Sequence, residues 1–509
     1  MFVAICVAFA ALSAGCSDER DSGTVVVGLE GSPSTLDPRF AMDAYATRIL
    51  PLLFDGLVTV TPDGRVGPGL AERWSIESGT RYTFHLRDGV AFADGTPLTA
   101  SNVAANFRFI LDPANKCPAA SSLDAVESVD APDERTLVIT LRRPFAPFLL
   151  KLTRGIVPAA CLADADFGER PIGSGPYMVT RFERGRAIEL AVNPHRPGPP
   201  PAIARIRFEV IANETTRMLN MKRGDIDLLQ NNVPPHAVRY FEDIPGVAVE
   251  RTPGINYSYL GFHLEDPRAI TSRVEVRRAI AHAIDREAII ATLLLGQARV
   301  ADSMFAPELP AHADVTRYTH DSARAKALLD AAGFPDPDGD GPAPRFRLSY
   351  KTSTDRLRNR IADAIAAQLA EVGIAVEKRQ FEWGTFFADI QKGNFQTFSL
   401  TWVGVIDPDH LFYVFHSSSM PPSGANRGRY RNAEVDALLE RSRAEADESA
   451  RLDLLRVVQR RVADEAVYVG LWWMDNVIVR RERLVGFTPY PGGEYTSLAS
   501  ARLAGETHP

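Results

Sequence analysis

The 509-residue sequence predicts an α/β protein built from several lobes, and three observations carry that expectation. At about 150 residues per domain, the length corresponds to about three domains. Hydrophobic residues make up 45% of the chain and charged residues 24%, the profile of a folded globular protein and not of a disordered, collagenous or coiled-coil one. Strand-like and helix-like patterns then mix throughout, without the strict βαβ rhythm of one doubly wound sheet.

In chain order, residues 25–29 form a β-branched run of strand character. Residues 46–57 carry apolar positions at helical spacing, and Thr61-Pro62-Asp63-Gly64 is a turn signal. Residues 82–86 alternate as a strand and lead to the turn Asp94-Gly95-Thr96-Pro97. Thr99 is placed as the N-cap of a helix over 100–111, which Asp112-Pro113 ends. Residues 136–141 read as a strand, 194–201 as a Pro- and Gly-rich surface connection, and 205–211 as an alternating strand. A helix over 215–223 ends at Gly224, a residue suited to the left-handed C′ position. A long amphipathic helix is predicted over 274–295. Further helices follow at 321–332, after the cap Asp321, and at 356–372, before Gly373 and the strand 374–379. Residues 398–405 read as an apolar strand, and 432–445 and 448–466 as two last helices.

Net charge is −7, from 57 basic and 64 acidic residues, which argues against a nucleic-acid partner. Mean hydropathy is −0.11, and no apolar run after residue 16 approaches the ~20 residues of a membrane span. Residues 1–16, MFVAICVAFAALSAGC, hold an uncharged apolar stretch followed by small residues, the pattern of a secretory leader. The small residues before Cys16 resemble a bacterial lipobox, with Leu12 one place early and Ser13 in its slot. The expectation is export to the periplasm or cell envelope with a lipid anchor at Cys16. Cys6 leaves with the leader, so Cys117 and Cys161 remain in an oxidising compartment, either as a disulfide or as two unpaired buried thiols. No Cys/His spacing supports zinc.

A collinear series of motifs then identifies a family. It comprises LDP at 36–38, FDGLV at 54–58, GLAERW at 69–74, YTFHLRDGVAFADGTPLTASNV at 82–103, GSGPY at 173–177 and GDIDLL at 224–229. It continues with VRRAIAHAIDREAII at 276–290, AKALLDAAGF at 325–334, WVGVIDP at 402–408 and NRGRYRNAEVDALL at 426–439. Together these resemble the dipeptide/oligopeptide-binding branch of the extracellular solute-binding proteins that serve ABC importers. Most of the motifs read physically as structure: glycine supplies positive φ at Asp94-Gly95 and in 173–176, Leu70 and Trp74 are core, and Val276, Ala279, Ile280, Ala283 and Ile284 form one stripe. Arg277, Arg278 and Arg286 are read as the solvated face of that helix.

The resemblance implies a bilobal periplasmic-binding-protein-like clamp (type II, large form) with an extra α/β subdomain. The expected division is a leader at 1–15; lobe I from 24–51, 171–258 and 481–505; the extra subdomain at 52–170; and lobe III at 259–480. No GxSxG, P-loop or GxGxxG motif appears and no His near Cys117 or Cys161 suggests a nucleophile, so no enzyme activity and no cofactor are expected. The implied action is capture of a peptide or peptide-like ligand by a monomer and delivery to an importer permease. The alternatives are a sensor or chaperone using the same clamp, or a non-peptide ligand such as a nickel chelate, heme, sugar or opine.

The resemblance also implies the cleft residues. Trp402 stands where the family has a cleft-lining Trp, and the segment Gly404, Val405 and Asp407 follows it. In peptide binders an Asp after this Trp pairs with the ligand α-amine; here that slot holds Val405, and Asp407 belongs to the later Asp-Pro pair. A buried amine without a carboxylate is costly, so either another acid such as Asp43 or Asp409 serves, or the ligand has no free α-amine. Arg358, among Arg356, Arg358 and Arg360, is the choice for a ligand carboxylate. Asp43 and Tyr45 lie in the first cleft loop, Asn256 and Tyr257 at the crossover between lobes, and Asn426 and Arg427 in the Gly- and Ser-rich stretch 417–428. Trp383 is read as structural. Asp336 to Gly341 resembles the start of a calcium loop but lacks its closing Glu, with Arg347 at position twelve, and reads as an acidic turn. His410 and His416 lack metal-site spacing.

Overall fold

The computed structural model describes residues 23–61, 64–231, 233–339, 341–490 and 492–505. The leader, with Cys6 and Cys16, lies outside the described residues. Among those described, no helix is long and apolar enough to cross a membrane.

An eleven-stranded mixed sheet forms the spine. Two long antiparallel strands, Val247–Phe262 and Tyr468–Arg481, run through its middle. On one side follow Leu228–Gln230, Thr24–Leu29, Arg205–Val210, Ala187–Val192 and Tyr177–Glu183; on the other follow Thr397–Trp402, Phe346–Ser353 and Ile374–Phe381. The short strand Ala298–Val300 pairs with Tyr468–Arg481. The register of the central pair slips between Thr252 and Asn256. Gly254 sits in that slip, where a Cβ would lie 2.1 Å from the Met474 carbonyl oxygen.

A separate four-stranded antiparallel sheet, Ala71–Glu77, Arg81–Leu86, Thr136–Leu141 and Val126–Asp130, packs against the helix Ala100–Leu111. That helix carries the expected Thr99 cap, completed by Asn102 as a reciprocal capping pair. The buried residues of its apolar core lie within 57–156, with Ile172 packed against them. Two further cores join the chain's beginning, its 157–247 stretch and its C-terminal residues 477–503. Two others lie between residues 255 and 473.

Several expectations are corrected. The helix over 274–295 is two helices, Val274–Ala283 and Arg286–Thr292. Asp285 breaks it by turning its carboxylate onto the Ala288 amide as a new N-cap. Arg277 and Arg286 are not solvated but 5% and 7% exposed. Arg277 donates to the carbonyls of Thr271, Ser272, Glu465 and Ala466, and Arg286 to those of Ala301, Gly470 and Tyr318 with Asp302 as counter-ion. Arg278 donates to the Asp464 carbonyl. The first helix is Ala44–Leu53, displaced toward the N-terminus because Asp43 caps it. At Gly173 and Gly175 the need for glycine is close approach, not positive φ: a Cβ would lie 2.0 Å and 2.4 Å from the Leu53 carbonyl group. Gly95 does have positive φ, at +85°.

The disulfide reading is also corrected, because Cys117 and Cys161 are both free. Cys117 is buried in the core of the four-stranded subdomain, while Cys161 packs against the neighbouring core built on Thr24–Leu29. Burial pushes both thiols up.

Candidate functional site

A cavity of about 820 Å³ opens where three parts of the fold meet. One wall comes from the helix Ala44–Leu53 and the turn around Tyr490, Glu494 and Thr496. A second comes from the strand Val58–Val60 and the residues Leu150 to Gly155. Ile406 closes it from the third part. Most of the lining is apolar, with Leu50, Pro51, Phe54 and Ile406 prominent.

Charged groups are few and mostly engaged. Asp55 accepts from Arg196 at 2.8 Å and from the Ser174 hydroxyl at 2.9 Å. Arg154 donates to the Pro38 carbonyl, and burial disfavours its charge; its guanidinium forms no ion pair with a described carboxylate. Glu494 is pushed up by burial, against the Glu494 and Gly492 amides and the charge of Arg48, and its Oε2 is buried without a hydrogen-bond partner.

Lys151 reaches from the wall of the subdomain across to the third part. It leaves the 3-10 helix Ala146–Thr153, whose Pro147, Phe148 and Leu152 are held in the subdomain core. Its Nζ lies 2.5 Å from Asp407 and 3.7 Å from Asp409. Burial alone would lower the ammonium, but the two carboxylates outweigh it and hold it above its ordinary range. Asp407 is the mirror image: burial would raise it, and Lys151, the Asp409 amide and Arg451 hold it down. Asp409 is gripped in fork geometry by Arg443 at 2.7 and 2.9 Å.

The expected cleft residues fall into two groups, and none of them is among the described residues lining the cavity. Five are engaged in structure. Asp43 caps its helix and accepts from Ser34. Asn256 accepts from the Gly404 amide at 2.9 Å, which fixes the loop after Trp402. Val405 is a core residue. Asp407 holds Lys151. Asn426, 1% exposed, ties the carbonyls of His416 and Tyr430 together, so its amide has no capacity for a ligand. Tyr45 is half-buried, lies flat on Gly31, and is pushed up by burial and then by Glu30.

Trp402, Arg427 and Arg358 belong to a continuous aromatic and guanidinium ribbon. Trp402 ends the strand Thr397–Trp402, paired with Tyr257 across the sheet. The strand stops there and not at 405, because Gly404 turns the chain at φ +65°. The indole stacks on Tyr259 at 6.1 Å and meets His410 edge-on at 4.5 Å. The Arg427 guanidinium lies 4.4 Å from the Trp402 ring and 5.3 Å from Phe387, and it donates to the Tyr259 hydroxyl. Phe387 stacks on Trp383, and Trp383 covers Arg358 at 5.1 Å. Trp383 is thus 46% exposed and part of this ribbon, where the sequence reading made it structural. Trp402 Nε1, Arg427 Nε, Arg358 Nη1 and His410 Nε2 are buried donors or acceptors without a partner. Burial lowers His410 to about 4, so it is neutral near pH 7.

Sequence reasoning missed Lys151, Arg154, Ile406 and Glu494. Lys151 and Arg154 are readable as isolated cations in an apolar run, and Glu494 as an acid beside the Gly492-Gly493 pair. The loop after Trp402 approaches the Gly492-Gly493 pair: a Cβ on Gly404 would lie 3.3 Å from the Gly492 Cα. In the acidic turn, Asp336 accepts from the Asp338 and Gly339 amides and Asp338 from the Ala343 amide. Among the described residues, no group of three or more His, Cys, Asp or Glu could hold a metal ion.

Comparison with known proteins adds the family. The model for bacterial extracellular solute-binding proteins, family 5, matches residues 65–421. Protein XP55 of Streptomyces lividans is 30% identical over 524 residues, covering 99% of this chain and 94% of the relative. The nickel-binding periplasmic protein of Escherichia coli strain K12 is 31% identical over 462 residues, covering 86% and 87%. Among solved structures, the periplasmic binding protein DppA of Helicobacter pylori in complex with the peptide STSA superposes with a TM-score of 0.79 at 25% identity, covering 94% of this chain and 98% of that one.

Proposed function

Since the chain belongs to the bacterial extracellular solute-binding proteins, family 5, and has their bilobal type II clamp fold with an extra α/β subdomain, we propose that it is an exported capture protein. It encloses a peptide or peptide-like ligand and hands it to the permease of an ABC importer. The observation that carries this reading is the cavity of about 820 Å³, walled by three separately cored parts of the chain. That size falls within the range of about 300–1,000 Å³ common for small-molecule sites. Arg154, desolvated on the cavity wall and in no ion pair with a described carboxylate, supports a ligand that carries a carboxylate.

Capture works by population shift. A ligand touching all three walls favours the closed arrangement because only there does it gain every contact. One relative is named for binding nickel and one similar structure is in complex with a peptide; the division of the chain into capture lobes and binding without turnover are part of the same proposal. Mass spectrometry of whatever co-purifies, after denaturing the protein, tests it. An intact small molecule with a carboxylate is expected, and recovery of cleaved product alone would overturn binding without turnover. Anchoring at Cys16 is proposed from the leader pattern. Its test is the intact mass of the mature N-terminus purified from membranes, which should carry diacylglycerol.

A further inference from the structure

A cationic nitrogen entering a mostly apolar cavity needs a carboxylate, since an isolated charge there costs several kcal/mol in effective terms. Among the described residues two carboxylates line this cavity, and Asp55 is already paired in charge with Arg196, which bonds its Oδ2 together with the Ser174 hydroxyl. On the facing loop, Asp407 is held by Lys151 and Asp409 by Arg443. Glu494 differs from all three. Its Oε2 is buried without a hydrogen-bond partner, and its neighbour in charge, Arg48, does not reach it as an ion pair.

The carboxylate is also fixed in place. Gly493 turns the chain at φ +82°, the Tyr495 amide bonds the Arg48 carbonyl at 3.0 Å, and the Tyr495 ring is locked edge-on against Phe208 at 5.1 Å. A Cβ on Gly492 would lie 2.3 Å from Glu494 Oε1, so the carboxylate folds over that glycine, the one approached by Gly404, two residues before the wall residue Ile406. An acid is thus set beside the segment that follows Trp402, although it comes from the far end of the chain.

Resting on the capture reading above, we propose that Glu494 receives a cationic nitrogen of the ligand, an amine or a guanidinium, and so determines which ligands are retained. Glu494 lines the cavity, its carboxylate is folded over Gly492, and Oε2 is the atom without a hydrogen-bond partner.

Equilibrium dialysis with mass-spectrometric readout tests this on the purified full chain. The probes are a pool of di- and tripeptides with free amino termini, the same pool N-acetylated, and n-butylamine and n-butylguanidine. Wild-type protein should retain the amine-bearing probes about tenfold or more over the acetylated ones. Glu494→Gln should erase that preference while leaving retention of acetylated probes unchanged, and Glu494→Asp, which keeps the charge, should restore part of it. Equal retention of free and acetylated probes by the wild type overturns the proposal and needs no variant. So does a preference that survives in Glu494→Gln, or failure of every amine-bearing probe to bind. The last result leaves the capture reading standing wherever a small molecule still co-purifies.

Discussion

The Lys151–Asp407 pair ties the four-stranded subdomain to the loop after Trp402, and its removal should loosen the closed arrangement. The perturbation is Lys151→Met, which keeps the aliphatic stem and deletes the charge. Both side chains are largely shielded, at 20% and 25% exposure, so the pair lies between the exposed limit of about 0.2–1 kcal/mol and the roughly 3–5 kcal/mol for breaking a fully buried one. Asp407 would keep Arg451 at 3.8 Å and the Asp409 amide, which softens the loss. An effect of about 1–3 kcal/mol on the closed form follows, equivalent to roughly a 5–150-fold change in the open-to-closed ratio.

Small-angle scattering of ligand-free protein reads that ratio as an increase in radius of gyration. Urea unfolding separates it from a loss of global stability. The double variant Lys151→Met/Asp407→Asn completes the cycle and isolates the pairwise term. Ligand affinity should fall by no more than the change in the closed population, because ligand binds only the closed share. Unchanged scattering in Lys151→Met, or a loss confined to unfolding stability, would refute the reasoning.

Three further outcomes are expected. Trp402 does not line the cavity, so Trp402→Ala should weaken ligand binding, by about tenfold or more, only where the ligand extends from the cavity onto the ribbon; unchanged affinity in titration calorimetry would make Trp402 a packing residue only. His410 lies at about 4 in the folded protein against an ordinary value of 6.5, so between those pH values the unfolded chain takes up a proton that the folded chain refuses. Stability should therefore fall as pH drops from about 6.5 to about 4 and level off below, by up to about 3 kcal/mol. Urea melts across that window check it, and His410→Phe should flatten the slope. Finally, thiol titration of the mature protein in denaturant without reductant should find Cys117 and Cys161 both reactive, and a silent pair would reinstate the disulfide.

Regular local structure was legible because it is local. Thr99 with Asn102, Asp321 before its helix and Gly224 after one are caps readable within a few residues. The break at Asp285 was not, because the apolar stripe continues from Val276 through Ile290 and hides a cap that acts only on Ala288. Arg277 and Arg286 were misread for a different reason. Charge predicts exposure until a set of carbonyls gathers around it, and those carbonyls come from as far away as Glu465 and Gly470. The site divides in the same way. Trp402 and Arg427 stand in motifs the sequence displays and Arg358 in a run of three arginines opening a helix, whereas Asp407 looked available because its partner Lys151 lies 256 positions away.

The use of the 402–409 segment explains why closure and recognition call for different acids. Trp402 joins the aromatic ribbon, Gly404 approaches Gly492, Ile406 lines the cavity and Asp407 holds Lys151. A ligand amine that took Asp407 from Lys151 would leave an ammonium in a poorly solvated place and would remove a contact that favours closure. Its binding energy would then oppose the conformational change that capture requires. An amine received by Glu494 leaves the Lys151–Asp407 pair intact, so ligand contacts and closing contacts add. A cation held by the opposite wall and a salt bridge kept for closure are therefore two parts of one arrangement. Disabling the bridge should lower affinity for free and acetylated ligands alike, while disabling Glu494 should lower it for the free amine alone.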